Sequence, residues 1–441
     1  MDEKHARLDT AALHARAQAR IPGGAHTYSK GDDQFPANAP RLIERGLGCT
    51  VWDSDGGEWL DYGMGLRSVL LGHAYAPVLE AVRGELGKGT NFTRPSPIEG
   101  EAAEAICRRL PGAEMVKFAK NGSDVTSAAV RLARAYTGRD LVAMCRANPF
   151  YSFNDWFIGS TVVNSGVPGA VRDLTLGFDY NDPASLERLF AEHPGRIGCV
   201  IIEPVAIDLP RDGFLEKVAA IARREGAVLV FDEMICGFRY HLQGAFGLYG
   251  VVPDLATWGK ALANGFSVAA LTGRREIMRL GGLDHDRDRV FLLSATNGAE
   301  THALAAAIAA LDEIERNRVP DHVAALGRRL RVGLDAVSAR HGLGQRVRLL
   351  GYDQSPVLAC TDSAGKPDLA LRTLLLQEFC RQRILIPYIA ISWAHRDADI
   401  DRTIEAYDRH VAPVLARAIA AGDPAAQVVG PLVKPVFRRR N

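Results

Sequence analysis

Asp232 and Lys260 are the two residues of this 441-residue chain whose types and spacing best suit chemistry. Asp232 and Glu233 end the apolar run AVLVF, which predicts a strand buried on both faces of a parallel sheet. Such strands present functional groups at their carboxyl ends. Lys260 comes twenty-eight positions later, after the strand-like LATW and a glycine. A buried carboxylate and a lysine at one sheet edge suit pyridoxal 5′-phosphate (PLP). The amine forms a Schiff base with the cofactor aldehyde, and the carboxylate keeps the pyridinium nitrogen protonated so that the ring draws electrons. The pair alone fits equally well a strand-end acid that caps a helix beside a solvated lysine.

Three further features fall where such a site needs them. Asn121-Gly122-Ser123-Asp124 turns the strand EMVKFAK into a helix that Ser123 is expected to cap. Its free N–H groups and the helix dipole favour a phosphate dianion, although an ordinary N-cap has the same composition. The chain has neither GxxxxGK[ST] nor a complete GxGxxG. Phe150 lies in a loop after the strand LVAMC, where an aromatic face could stack on a pyridine or simply join the core. Thr296 precedes the alanine-rich ETHALAAAIAALDEIER, placed to donate to a phosphate from a helix N-terminus or merely to cap it.

The elements that must position these residues read as repeated βαβ. Besides the strands named, CVIIEPVAI at 199–207 and the helix FLEKVAAIARREG at 214–226 predict a doubly wound, mostly parallel α/β sheet over 67–313. Residues 1–66 read as an N-terminal arm: a helix that breaks at IPGG, then a hairpin around Asp55-Gly56-Gly57. It is too thin to bury a core alone and is expected to pack on the body, with the small domain, or on a second subunit. Residues 314–441 read as a smaller α/β domain with strands RVRLLG and SPVLACT, the helix DLALRTLLLQEFCRQR, and a long helix from Asp397 toward Ala420.

Composition narrows the partners. Apolar residues make up 47% and charged residues 24%, as in ordinary globular proteins, and the net charge of +1 offers no footing for nucleic acid or a membrane surface. The N-terminal stretch lacks the apolar segment of a secretory signal, and no apolar run spans a bilayer. Seven scattered cysteines without a CxxC fit reduced thiols and no metal site, so a cytoplasmic location is expected.

The ordered series IPGG at 21–24, LLGHAYAPV at 70–78, RLARAYTGR at 131–139, IIEPV, VFDEM, DLATWGK and SWAH at 392–395 resembles the class III, fold type I, PLP-dependent aminotransferases. Within them it is most similar to the glutamate-1-semialdehyde 2,1-aminomutase branch, nearly end to end. The resemblance implies that Lys260 is the Schiff-base lysine and Asp232 the partner of the ring nitrogen. It places Met234 beneath the ring, Glu203 near it, and Gly122 and Ser123 in the phosphate turn. Thr296 matches a threonine that reaches the phosphate of the other subunit's cofactor, which implies a homodimer with shared sites.

Departures from the aminomutase pattern fall on the substrate side. Its Tyr-His-Gly loop reads Phe150-Tyr151-Ser152, which removes a hydroxyl unless Tyr151 supplies one. An arginine after IPGG that helps hold the substrate carboxylate is Lys30, a point charge without the planar fork. The Gly-Gly-Gly after the lysine is Ala263-Asn264-Gly265, an Asn-Pro becomes Glu300-Thr301, and a glutamate is replaced near Pro387. Arg67 stands where the branch has a small residue, and is expected either to face an anionic or polyhydroxylated substrate or to lie on the surface. The expected activity is amination of a carbonyl on a small polar metabolite through the Lys260 aldimine, with a keto-sugar, cyclitol or amino aldehyde as candidates. The rivals are an aminomutase or other isomerase using the same residues, and a PLP-fold protein kept only for binding.

Overall fold

The computed structural model describes residues 9–147 and 150–440. The start of the expected first helix and Pro149 of the aromatic loop lie outside the described residues. The chain forms two compact units. The smaller gathers the described residues up to Leu66 with Gly72–Ala74 and His322–Val436; the larger holds Arg67–Leu71, Tyr75–Asp321 and the residues from Phe437 onward. The last residues therefore belong with the larger unit, where Phe437 lies 6.3 Å from the Phe157 ring and 6.4 Å from Phe150.

The larger unit is built on seven strands: β1 (Met115–Ala119), β2 (Leu141–Cys145), β3 (Thr175–Phe178), β4 (Ile197–Ile202), β5 (Val228–Asp232), β6 (Leu255–Trp258) and β7 (Ala269–Gly273). Their order is β1-β7-β6-β5-β4-β2-β3. Neighbours from β6 through β3 run parallel, whereas β7 is antiparallel to both β1 and β6. Every residue of β2, β4 and β5 is buried, the environment their unbroken apolar runs require. Two strands have no counterpart in the sequence reading. β3 (TLGF) is a short edge strand, and β7 (AALTG), three of whose five residues are strand-poor alanine or glycine, is buried between two partners.

Helix α1 (Gly122–Thr137) follows β1 directly. Asn121, not Ser123, caps it: Asn121 is extended (φ −150°, ψ 168°) and its side-chain oxygen accepts the Asp124 amide. Val125, Ala128, Ala129, Leu132 and Ala133 turn one face into the core, and Gly138 ends the helix at φ 67°. The alanine-rich helix α2 (Thr301–Arg316) starts five residues beyond Thr296.

In the smaller unit, the hairpin Thr50–Asp53/Glu58–Asp61 pairs on one side with Ile43–Leu47 and on the other, in parallel, with Ile384–Leu385. Asp53 organises its turn by accepting the Asp55 and Gly57 amides and the Trp59 indole N–H. Val347–Leu350 and Val357–Cys360 form a second, separate ribbon. Helix Val319–Arg340 was not anticipated because Gly327 and Gly333 interrupt its pattern. Both glycines are required by packing, since a Cβ there would overlap the Asp353 carbonyl and the Ile404 side chain. The expected long final helix is broken by a π turn at Tyr407–Val411, just ahead of Pro413, which has no N–H to continue the α ladder.

All seven cysteines are unbridged. Among the described residues, no helix is long and apolar enough to cross a membrane, and no cluster of three His, Cys, Asp or Glu could hold a metal.

Candidate functional site

Adjacent parallel strands β5 and β6 deliver Asp232 and Lys260 to the same edge of the larger unit's sheet. Asp232 is the last residue of β5 and pairs with Thr257, one residue before Trp258 closes β6. The Thr257 hydroxyl and the Met234 amide both donate to its Oδ1, at 3.0 and 3.1 Å. Burial raises the Asp232 carboxyl to about 6, against the opposing pull of Lys260 and these two donors. Lys260 opens a short 3-10 turn with φ 42°, a left-handed conformation unusual outside glycine. Desolvation lowers its ammonium from the ordinary lysine range, and Asp232 and Glu203 act to restore it.

Glu203 lies just beyond β4, and burial pushes it up to about 8, assisted by Asp232 and opposed by Lys260 and Arg67. Its backbone amide donates to the Tyr151 hydroxyl at 3.1 Å, and that hydroxyl donates to the Cys145 carbonyl, also at 3.1 Å. Tyr151 therefore clamps the ends of β2 and β4 together. The sequence reading offered its hydroxyl to the substrate; here the side chain is fully buried and its phenol is engaged on both sides by backbone. Phe150 is 48% exposed and meets Phe157 edge-on at 5.9 Å.

At the head of α1 the Gly122 and Ser123 amides have no intrahelical acceptors, as in every helix first turn. The Ser123 hydroxyl is buried and accepts the Phe153 amide at 3.0 Å, so it also ties down the aromatic loop. Thr126 reinforces that tie by donating to the Tyr151 carbonyl at 2.9 Å. Met234 lies against both glycines of the site: a Cβ on Gly122 would stand 2.9 Å from its methyl carbon, and one on Gly259 would overlap it.

Thr296 is not at the N-terminus of α2. It sits exposed in a turn, where its carbonyl and the Asn297 side chain both accept from the Asn91 amide group. The residue before α2 is Glu300, whose carboxylate pairs at 2.6 Å with Lys120 beside the phosphate-type turn. Lys30 ends a 3-10 turn, Tyr28–Lys30, in the smaller unit, and is exposed.

Arg67 belongs to the larger unit and acts electrostatically on Glu203, Lys260 and Tyr240. Two supports of its segment escaped the sequence reading. Arg239, completely buried, donates from Nη2 to the Arg67 carbonyl at 2.7 Å, and Asn264 accepts the Leu71 amide at 2.8 Å. The only forewarning was that Asn264 stands in place of a glycine; a buried arginine leaves no mark in composition. Glu233 is likewise structural, accepting the Ala245 amide and the Cys236 thiol.

Comparison with known proteins agrees with this architecture. The aminotransferase class-III family profile matches residues 32–353. A glutamate-1-semialdehyde 2,1-aminomutase of Thermus thermophilus is 34% identical over 426 residues, covering 90% of this chain and 97% of that protein. A 3-aminobutyryl-CoA aminotransferase of Cloacimonas acidaminovorans is 30% identical, covering 94% and 99%. Among solved structures, the PLP internal aldimine form of a Sphingopyxis FumI protein superposes with a TM-score of 0.86 at 29% identity, covering 95% of this chain and 99% of that one. An omega-transaminase from Sphaerobacter thermophilus superposes at 0.82 with 26% identity, covering 92% and 98%. The sheet order and the profile lead to one statement: this chain belongs to the class-III aminotransferase family, with the fold type I architecture.

Proposed function

We propose that this protein transfers an amino group to a carbonyl of a small polar metabolite, using PLP held between Lys260 and Asp232. The family is PLP-dependent. The observation that carries the reading is the buried opposition of these two groups at the ends of neighbouring parallel strands.

The residues present fit that cofactor. Lys260 supplies an amine whose protonated form is disfavoured by burial, as attack on an aldehyde requires. On Asp232 both donors fall on Oδ1, which leaves Oδ2 for a ring nitrogen. The heading amides of α1 suit a phosphate dianion, and Met234 and Phe150 offer soft apolar surfaces for a heteroaromatic ring. When bound, the cofactor supplies an electron sink for the charge left as a proton departs from the carbon bearing the amine.

The chain's own part is to hold and move protons. Asp232 keeps the ring nitrogen protonated. Lys260 Nζ would hold the cofactor's aldehyde carbon and, once free, would take up and return the proton at the substrate carbon, a task served by its lowered pKa. Glu203, whose carboxyl burial pushes up, would stand near the ring. The exposed Thr296 turn is taken to serve the phosphate of a second copy, so the working form is a homodimer, and a cytoplasmic location is part of the same reading.

The test is reconstitution with PLP, borohydride reduction and peptide mapping, followed by a panel of amino donors scored by loss of the visible band. Modification of Lys260 and bleaching by at least one donor are expected. A colourless protein, or reduction onto another lysine, would overturn the reading. A second reading, aminomutase chemistry, is favoured by the 34% identical relative of that name. Many turnovers of an amino-carbonyl compound to its isomer by the amine-loaded enzyme, without external donor or acceptor, would select it, whereas an aminotransferase stops after one stoichiometric amination.

A further inference from the structure

We propose that Phe437 is a positioning residue of the cofactor site: its ring backs Phe150 and so sets the tilt at which Phe150 meets the cofactor. This rests on the reading above, in which PLP lies against Phe150, and adds to it a support drawn from far along the chain.

The first ground is geometric. Phe150, Phe157 and Phe437 form a triangle of rings whose centroids stand 5.9, 6.3 and 6.4 Å apart. Phe157 meets the other two edge-on, at 82° and 85°, while Phe437 is tilted by 43° to Phe150. All three separations fall within the range over which aromatic rings attract. Phe157 is 2% exposed and belongs to the core around Tyr151 and Trp156, so it gives the triangle a fixed base. Phe437 is partly buried against that same core.

The second ground is what Phe150 needs. It belongs to neither helix nor strand and keeps 48% of its surface exposed. The chain beside it is fastened at Tyr151, whose carbonyl accepts the Thr126 hydroxyl and whose phenol joins β2 to β4. That fixes where the Phe150 side chain starts, not where its ring points. Phe157 meets one edge of the ring, and Phe437 supplies the further contact that selects one direction. A stacking group contributes fully only when its orientation is set before the ligand arrives.

The third ground is that Phe437 does not hang from a loose end. The Val433 amide donates to the Thr373 hydroxyl at 3.0 Å, and the Lys434 amide to the Asp33 carbonyl at 2.8 Å. The Gln34 side chain in turn donates to the Lys434 carbonyl at 2.9 Å. With the chain tied down three residues earlier, holding the Phe437 ring costs little further conformational entropy. A solvated tail would show neither the tether nor the ring contacts.

The test uses full-length protein, stripped of PLP and titrated with it by tryptophan fluorescence, together with circular dichroism of the visible band. Phe437→Ala is expected to weaken PLP binding by about three- to tenfold, the size of one aromatic contact, and to shrink the visible dichroism. Phe437→Tyr should restore both. Phe150→Ala should also weaken binding, and in that background Phe437→Ala should cost less than about twofold more, since the support then has no ring to hold. Phe437→Leu keeps the apolar volume and runs the same cycle if the alanine variant fails to fold. Unchanged PLP binding and dichroism in Phe437→Ala, or losses that multiply in the double variant, would overturn the proposal. Failure of the aminotransferase reading would look different: the two phenylalanines would still be coupled in PLP binding while no amine bleaches the band.

Discussion

Met234 fills the notch that Gly259 leaves open, so that any Cβ at position 259 would overlap its thioether methyl. Because Gly122 abuts the same side chain, one methionine sets the spacing between the phosphate-type turn and the residue preceding Lys260. Gly259→Ala should therefore destabilise the fold by about 1–3 kcal/mol through overpacking. Adding Met234→Ala should recover most of that loss. Urea midpoints of the single and double variants check this, and no recovery would show that the strain lies elsewhere.

Removing Lys260 should abolish borohydride-fixable cofactor and reduce amino transfer by roughly 10³-fold or more. Asp232→Asn should behave differently. Cofactor should still bind, while the half-reaction slows by roughly 10²- to 10³-fold, the size expected from breaking a buried charge pair. Stopped-flow bleaching of the visible band with a responsive donor separates the two.

The buried acids make the cofactor-free protein sensitive to base. Glu203 is raised from 4.5 to about 8 and Asp232 from 3.8 to about 6. Between the unfolded and folded values the native state binds more protons than the unfolded state, so stability falls as pH rises. For Glu203 this loss runs from about pH 4.5 up to pH 8. Thermal midpoints of the cofactor-free protein should decline over that window, and Glu203→Gln should flatten the slope. A midpoint that rises through the window would contradict the assigned burial.

Tyr151→Phe should cost about 1–3 kcal/mol, because the Cys145 carbonyl and Glu203 amide lose a buried partner. KM for amino donors should change little, since the phenol serves the strands. A large KM effect at unchanged stability would restore Tyr151 to the substrate.

Much of the larger unit was legible because its central strands are buried on both faces and read as unbroken apolar runs ending in chemistry-bearing residues. The same logic located Asp232, Lys260 and the turn at Gly122. What escaped notice depends on partners distant in sequence. Nothing local to AALTG shows that β7 will be sandwiched between β1 and β6. Whether Asn121 or Ser123 caps α1 turns on Phe153, which recruits the serine inward. The start of α2 was read to within one residue, but Thr296 was taken as part of its head, because nothing local shows that Asn91 holds residues 296–297 in a separate turn. Tyr151 reads like any loop tyrosine until the ends of β2 and β4 are seen to converge on its hydroxyl.

The reversed strand β7 acts as a ruler. Ala269 stands opposite Ala119 and Ala270 opposite Trp258, so the exits of β1 and β6 are levelled against one short template and held two strand spacings, about 10 Å, apart. The Ser267 hydroxyl locks the near end by donating to the Lys120 carbonyl at 2.8 Å. Deleting or inserting a single residue just ahead of Ala269 would slide this gauge by about 3.4 Å against its neighbours. The anion-binding turn would then be out of step with the amine, even if every side chain named above were kept.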